Sequence, residues 1–256
     1  MTRSMVKLNG SARPGPSGLS LHLRGHVFLF GKRPPSAYEG SAGTRLLLAA
    51  IVLEAGRLGA VNWLYPRVPL SILIPLLLVA ALLSIRFVVG LKLSQIGFHP
   101  WREWSAIEKS YFIQLLVIAN VVFPTVFPAR LRTILAQPSV LWTVWSVFVP
   151  YLFFGFYQEV VYRGMLQSEL IRRWGAFTGI LVSNALYTFG PLHSYYFSSR
   201  ASFAIPMFAS IFAIGLFFGV LFRRSGNLWI AAVMHGIGNA YIVGSLASSA
   251  VSGPGP

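Results

Sequence analysis

The stretch VPLSILIPLLLVAALLSI, residues 68–85, carries no charge over its whole length, and that restricts the folds open to the chain more than any other feature. About 20 apolar residues in a helix cross the hydrocarbon core of a bilayer, whereas a surface helix of a soluble domain needs a polar stripe. A second charge-free run, LWTVWSVFVPYLFFGF, covers residues 141–156. Weaker runs bring the expected crossings to seven: 46–65, 68–85, 111–128, 141–157, 175–192, 203–222 and 228–247. Only 11% of the residues are charged, against roughly 25% in soluble domains. The fold class expected is therefore all-α, a polytopic membrane helical bundle of about seven transmembrane helices.

A net charge of +15 with 21 basic residues could suggest nucleic acid as a partner, but the basic residues are scattered through short segments between apolar runs and form no patch. Membrane topology accounts for them better. With the N-terminus inside, 16 basic residues fall on the inner side and 5 on the outer, which under the positive-inside rule predicts a cytoplasmic N-terminus. The expected location is the plasma (inner) membrane, with lipids as partners and no nucleic acid. Residues 1–43 read as a basic, disordered cytoplasmic tail, 44–250 as one membrane domain and 251–256 as a flexible end. Within the first crossing Glu54 and Arg57 are three apart and can pair on one helix face. Residues 97–110, GFHPWREWSAIEKS, mix tryptophan with charge and suit the headgroup level.

The chemistry is narrowed by what the chain lacks. There is no cysteine, so thiolate nucleophiles and Cys-ligated metals are excluded, and all six acidic residues are glutamates. Ionisable groups inside apolar helices are costly unless they face protein or water. Three places qualify: Glu159 with Arg163, four apart on one face; His193 at the end of FGPLH, where Pro191 disturbs the helix; and His235 with Asn239, also four apart, with Gly236 and Gly238 leaving room for close approach. Taken singly these read as an ion-pair clamp, an interfacial imidazole and a packing contact. Together, a carboxylate, two imidazoles and an amide on three helices could activate water and hold a developing oxyanion.

The three segments QEVVYR (158–163), FGPLH (189–193) and HGIGN (235–239) occur in the order of the motifs EExxxR, FxxxH and HxxxN. In this the chain resembles the CPBP family (CAAX proteases and bacteriocin-processing enzymes, also called Abi), which are intramembrane glutamic endopeptidases. The flanks YRGMLQ and RRSGNLWIAAVMH extend the likeness over about residues 140–245. The resemblance implies a CAAX-protease-like helical core, and a carboxylate acting as general base on a water that attacks a peptide carbonyl. It also implies that His193 positions the water, His235 and Asn239 donate to the oxyanion, Arg163 orients the carboxylate, and Gln158 and Phe189 lie by the substrate. The implied partner is a protein or peptide substrate, lipid-modified or membrane-anchored, and no cofactor is implied. The chain departs from the family at one position. The first glutamate of EExxxR, usually assigned as the base, is Gln158 here, and an amide has no useful basicity near neutral pH. In the enzymatic reading the role passes to Glu159.

Three other readings stay open at this level. Glu159, His193 and His235 could ligate zinc, a known catalytic ligand type, although HExxH is missing. A non-catalytic family member could act as a membrane scaffold, an immunity factor or a peptide-binding protein. Intramembrane ionisable residues also mark transporters, although no internal repeat is seen.

Overall fold

The computed structural model describes residues 38, 40–64, 67–126, 128–136, 139–193 and 204–251. The expected basic tail therefore lies, up to residue 37, outside the described residues, as does the end from 252. Among the described residues the chain is helical without strands. Helix α1 runs over Gly40–Leu64 and α2 over residues 70–89. Helix α3 spans Ala106–Val126 and the short α4 spans Pro128–Leu135. A helical run of 50 residues follows, Val140–Phe189, then α7 over Ala204–Ser225 and α8 over Leu228–Val251.

Fifty helical residues would extend about 75 Å at 1.5 Å per residue, more than twice the roughly 30 Å of hydrocarbon. The run is broken at Gly175, whose backbone takes the left-handed, extended geometry φ 79, ψ 169 that a side chain disfavours. The break divides it into α5 (residues 140–174) and α6 (residues 175–189). A Cβ on Gly179 would come 2.5 Å from the backbone nitrogen of Ile171, so α6 folds back tightly against the end of α5. Five helices are long and apolar enough to cross a membrane, and a shorter apolar one covers Leu228–Ile242. With the two arms of the broken run counted separately, seven helical segments correspond to the seven crossings expected. Several boundaries differ from expectation: residues 40–43, read as tail, already belong to α1, and α5 continues past 157 to 174. Residues 106–110, assigned to the interfacial stretch, already belong to α3, and α2 reaches Val89, past the expected end at 85.

The outer faces carry apolar side chains: Phe177 is 81% exposed and Ile205 is 84% exposed. In water such faces would be aggregation surfaces, whereas lipid tails solvate them. The chain is an integral membrane protein.

Two glycine contacts set the centre of the bundle. A Cβ on Gly155 of α5 would lie 2.5 Å from the backbone nitrogen of Gly236 on α8, so these helices meet backbone to backbone, as small residues allow in membranes. One turn beyond Gly155 is Glu159, and next to Gly236 is His235. The second contact brings α7 against α5 through Gly215 and Gly219. Arg163 Nη2 donates to the Gly215 carbonyl at 3.0 Å and Gln167 Nε2 to the Gly219 carbonyl at 2.9 Å. Residues 160–167 are wound as wide π-type turns, a feature frequent at functional sites. Arg163 and Gln167 lie within this stretch.

Candidate active site

Glu159 has no solvent exposure. Its Oε1 lies 2.7 Å from Nδ1 of His235 and its Oε2 lies 3.4 Å from Nε of Arg163. A carboxylate has only acceptors, so the imidazole donates through Nδ1. The opposite ring nitrogen, Nε2, sits 3.1 Å from the hydroxyl of Tyr187 on α6. Both nitrogens of His235 are thus engaged, one by α5 and the other by α6.

Tyr187 ties the remaining groups together. Its backbone carbonyl accepts from Nδ1 of His193 at 2.9 Å, and its ring is 4.9 Å from the His193 ring, centroid to centroid. The guanidinium of Arg163 lies over the same ring, 4.3 Å from its centroid, within the reach of cation–π attraction. His193 is nearly buried in the turn after α6, and burial pushes its ring down to about 4 from the usual 6.5, despite the Tyr187 carbonyl that favours the protonated form. It is a neutral imidazole at neutral pH. Gln158 is buried as well, and its Oε1 accepts from Nδ2 of Asn239 at 3.1 Å. Adjacent residues of α5 therefore face different places on α8: Gln158 meets Asn239, and Glu159 meets His235.

The fold brings Gln158, Glu159, Arg163, His193, His235 and Asn239 into one polar centre. Phe189 is different: it is 55% exposed and stacks on Phe208 of α7, with ring centroids 5.6 Å apart. No motif or spacing singles out Tyr187. It is one of ten tyrosines, and only the return of α6 toward α8 singles it out. Four buried polar atoms lack a hydrogen-bond partner around this centre: Glu159 Oε2, Arg163 Nη1, Asn184 Oδ1 and Thr188 Oγ1. Such orphans are few in native proteins and favour sites that bind or react. For a metal the fit is poor. Among the described residues no three histidine or glutamate side chains converge to hold an ion, and the hydrogen bonds of His235 occupy the nitrogens a metal would need.

Fold and centre together define a helical membrane protein with a buried carboxylate–imidazole pair at the crossing of three helices. Residues 140–241 match the family model described as type II CAAX prenyl endopeptidase Rce1-like, a segment that holds α5 to α7, the first part of α8 and all three motifs. No curated protein and no solved structure matches the chain.

Proposed function

We propose that the protein is an intramembrane endopeptidase that hydrolyses a peptide bond in a membrane-associated protein, with water activated under the control of Glu159. The observation that carries this reading is the 2.7 Å contact between Glu159 and His235 in a fully buried centre. A carboxylate bonded to one imidazole nitrogen makes the other a better proton acceptor. The Rce1-like match makes a CAAX-type, lipid-modified tail the first substrate class to examine. The reaction needs no metal and no cofactor.

The test is cleavage of prenylated and unprenylated tail peptides by the full chain reconstituted in lipid vesicles. Glu159→Ala, His193→Ala and His235→Ala each abolish cleavage, and a chelator leaves it unchanged. Cleavage that survives all three substitutions would sink the reading.

One observation favours a second reading, a non-catalytic peptide-binding or scaffold protein. Gln158 is held by Asn239 through an amide–amide bond, and neither partner can take a proton from water. Under this reading the natural chain cleaves nothing, and Gln158→Glu creates activity.

A further inference from the structure

We propose that the atom which takes the proton from the attacking water is Nε2 of His235, reached through the hydroxyl of Tyr187, and that Glu159 acts only through the ring it holds. The inference rests on the hydrolytic reading above and names the proton acceptor within it.

Access decides against the alternatives. Gln158 has an amide and no useful basicity. Glu159 is 0% exposed: its Oε1 is taken by His235 Nδ1 at 2.7 Å, and its Oε2, 3.4 Å from Arg163 Nε and without a hydrogen-bond partner, is enclosed by protein. His235 is the next group outward. Because Glu159 takes the Nδ1 proton as an acceptor, the neutral ring carries its lone pair on Nε2. That nitrogen therefore accepts, and at 3.1 Å its donor is the Tyr187 hydroxyl. An oxyanion donor would need the opposite tautomer, with the proton on Nε2. The carboxylate contact thus moves His235 from the oxyanion role to the role of base.

Tyr187 is held for this task from three sides: the Arg163 guanidinium lies on its ring, His193 donates to its carbonyl, and the Tyr162 ring packs edge-on at 5.3 Å. The step balances as follows. A water donating to the Tyr187 oxygen passes one proton to it while the Tyr187 proton moves to Nε2. The hydroxide oxygen forms its bond to the peptide carbonyl carbon. On collapse the C–N bond breaks, the imidazolium returns a proton through the same hydroxyl to the leaving nitrogen, and the carboxylic acid and amine so formed exchange the remaining proton to leave as a carboxylate and an ammonium. Tyr187 ends as it began.

The test combines a spectroscopic arm with a kinetic one, on the full chain in detergent micelles with ¹⁵N-labelled histidine. The His235 resonances are assigned by their loss in His235→Gln. The expected result at neutral pH is a proton on Nδ1 and an unprotonated, hydrogen-bonded Nε2. Tyr187→Phe shifts the Nε2 resonance to that of a nitrogen without this donor, and Glu159→Gln lets the proton distribute over both nitrogens. In cleavage assays Tyr187→Phe lowers kcat about 100-fold, at the low end for a lost acid–base group, with KM within a few-fold. A proton found on Nε2 of the natural chain overturns the base assignment, and an unchanged kcat in Tyr187→Phe overturns the relay. A chain that shows the Nδ1–H tautomer but cleaves nothing removes the hydrolytic reading and leaves the hydrogen-bond assignment standing. Cleavage by a chain with the Nε2–H tautomer does the reverse.

Discussion

Glu54 with Arg57 on α1 and Glu159 with Arg163 on α5 are both carboxylate–guanidinium pairs within a helical turn, but only the first is closed. Arg57 reaches Glu54 with two nitrogens, at 3.0 and 2.6 Å, the bidentate geometry in which the charges satisfy each other. Arg163 stands 3.4 Å from Glu159 and spends Nη2 on the Gly215 carbonyl, leaving Nη1 and Glu159 Oε2 without hydrogen-bond partners. The Glu159 carboxylate is consequently shared with His235. A closed pair has nothing left to offer a reaction, while an open pair keeps its carboxylate available to a third group. The same two residue types at nearly the same spacing therefore serve as a clamp in one helix and as part of a reactive centre in the other.

Neutralising each carboxylate is the sharpest way to break this contrast. Glu159→Gln is expected to lower the cleavage rate by about 10²–10⁴, the range for loss of general acid–base catalysis. Glu54→Gln, measured per folded molecule, leaves the rate within a few-fold. Equal losses in both variants would erase the distinction between clamp and site.

Stability tests the clamp itself. Removing one partner of a buried pair leaves a buried charge uncompensated, at a cost of about 3–5 kcal/mol, and the side chains of Arg57 and Glu54 are only 6% and 13% exposed. Glu54→Ala should therefore lower the unfolding temperature in detergent relative to the natural chain. The double variant Glu54→Leu/Arg57→Leu, with no charge left to bury, should recover most of the loss. A double variant as unstable as the single one would show that the pair does more than compensate charge.

The packing under the site gives a smaller effect. Gly155→Ala places a methyl group against the Gly236 backbone, and overpacking of this kind costs about 1–3 kcal/mol. Because α5 and α8 carry Glu159 and His235, the loss of cleavage should exceed what the remaining folded fraction explains. Gly56→Ala makes the control, since a Cβ there meets nothing within 4 Å.

These comparisons also separate what could be read from the residues from what could not. Apolar runs set the helical class and the crossings because length and hydropathy alone decide whether a helix suits a bilayer. The motif spacing picked out Glu159, Arg163, His193, His235 and Asn239, since four-residue steps lie on one helical face. Hydropathy separated 141–157 from 175–192, yet helical hydrogen bonding continues between them, and only the positive φ of Gly175 turns the chain. Tyr187 was invisible because its role depends on α6 packing against α8, a contact between residues 48 apart in the chain. The division of labour between Gln158 and Glu159 was hidden for a related reason. Adjacent residues on a helix diverge by about 100°, and which of them meets His235 is set by how α5 is rotated against Gly236.

The smallest expected effect concerns His193, in the turn after α6 and outside the helical spans. Burial lowers its ring to about 4, assisted by the nearby charges of His235, Arg57 and Arg163. In the unfolded chain the ring titrates near 6.5. As pH falls through 6.5 the unfolded state takes up a proton that the folded state refuses until about 4, so the unfolded state binds more protons and stability declines with falling pH. The contribution is whole above 6.5, is lost progressively between 6.5 and 4, and amounts to at most about 1.4 kcal/mol for each pH unit. His193→Gln keeps an N–H donor for the Tyr187 carbonyl and removes the titration. Unfolding temperatures followed by tryptophan fluorescence from pH 7.5 to 4.5 should fall less steeply in the variant than in the natural chain. Parallel slopes would mean that His193 takes up its proton as readily in the folded protein as in the unfolded chain, so that burial does not hold it neutral.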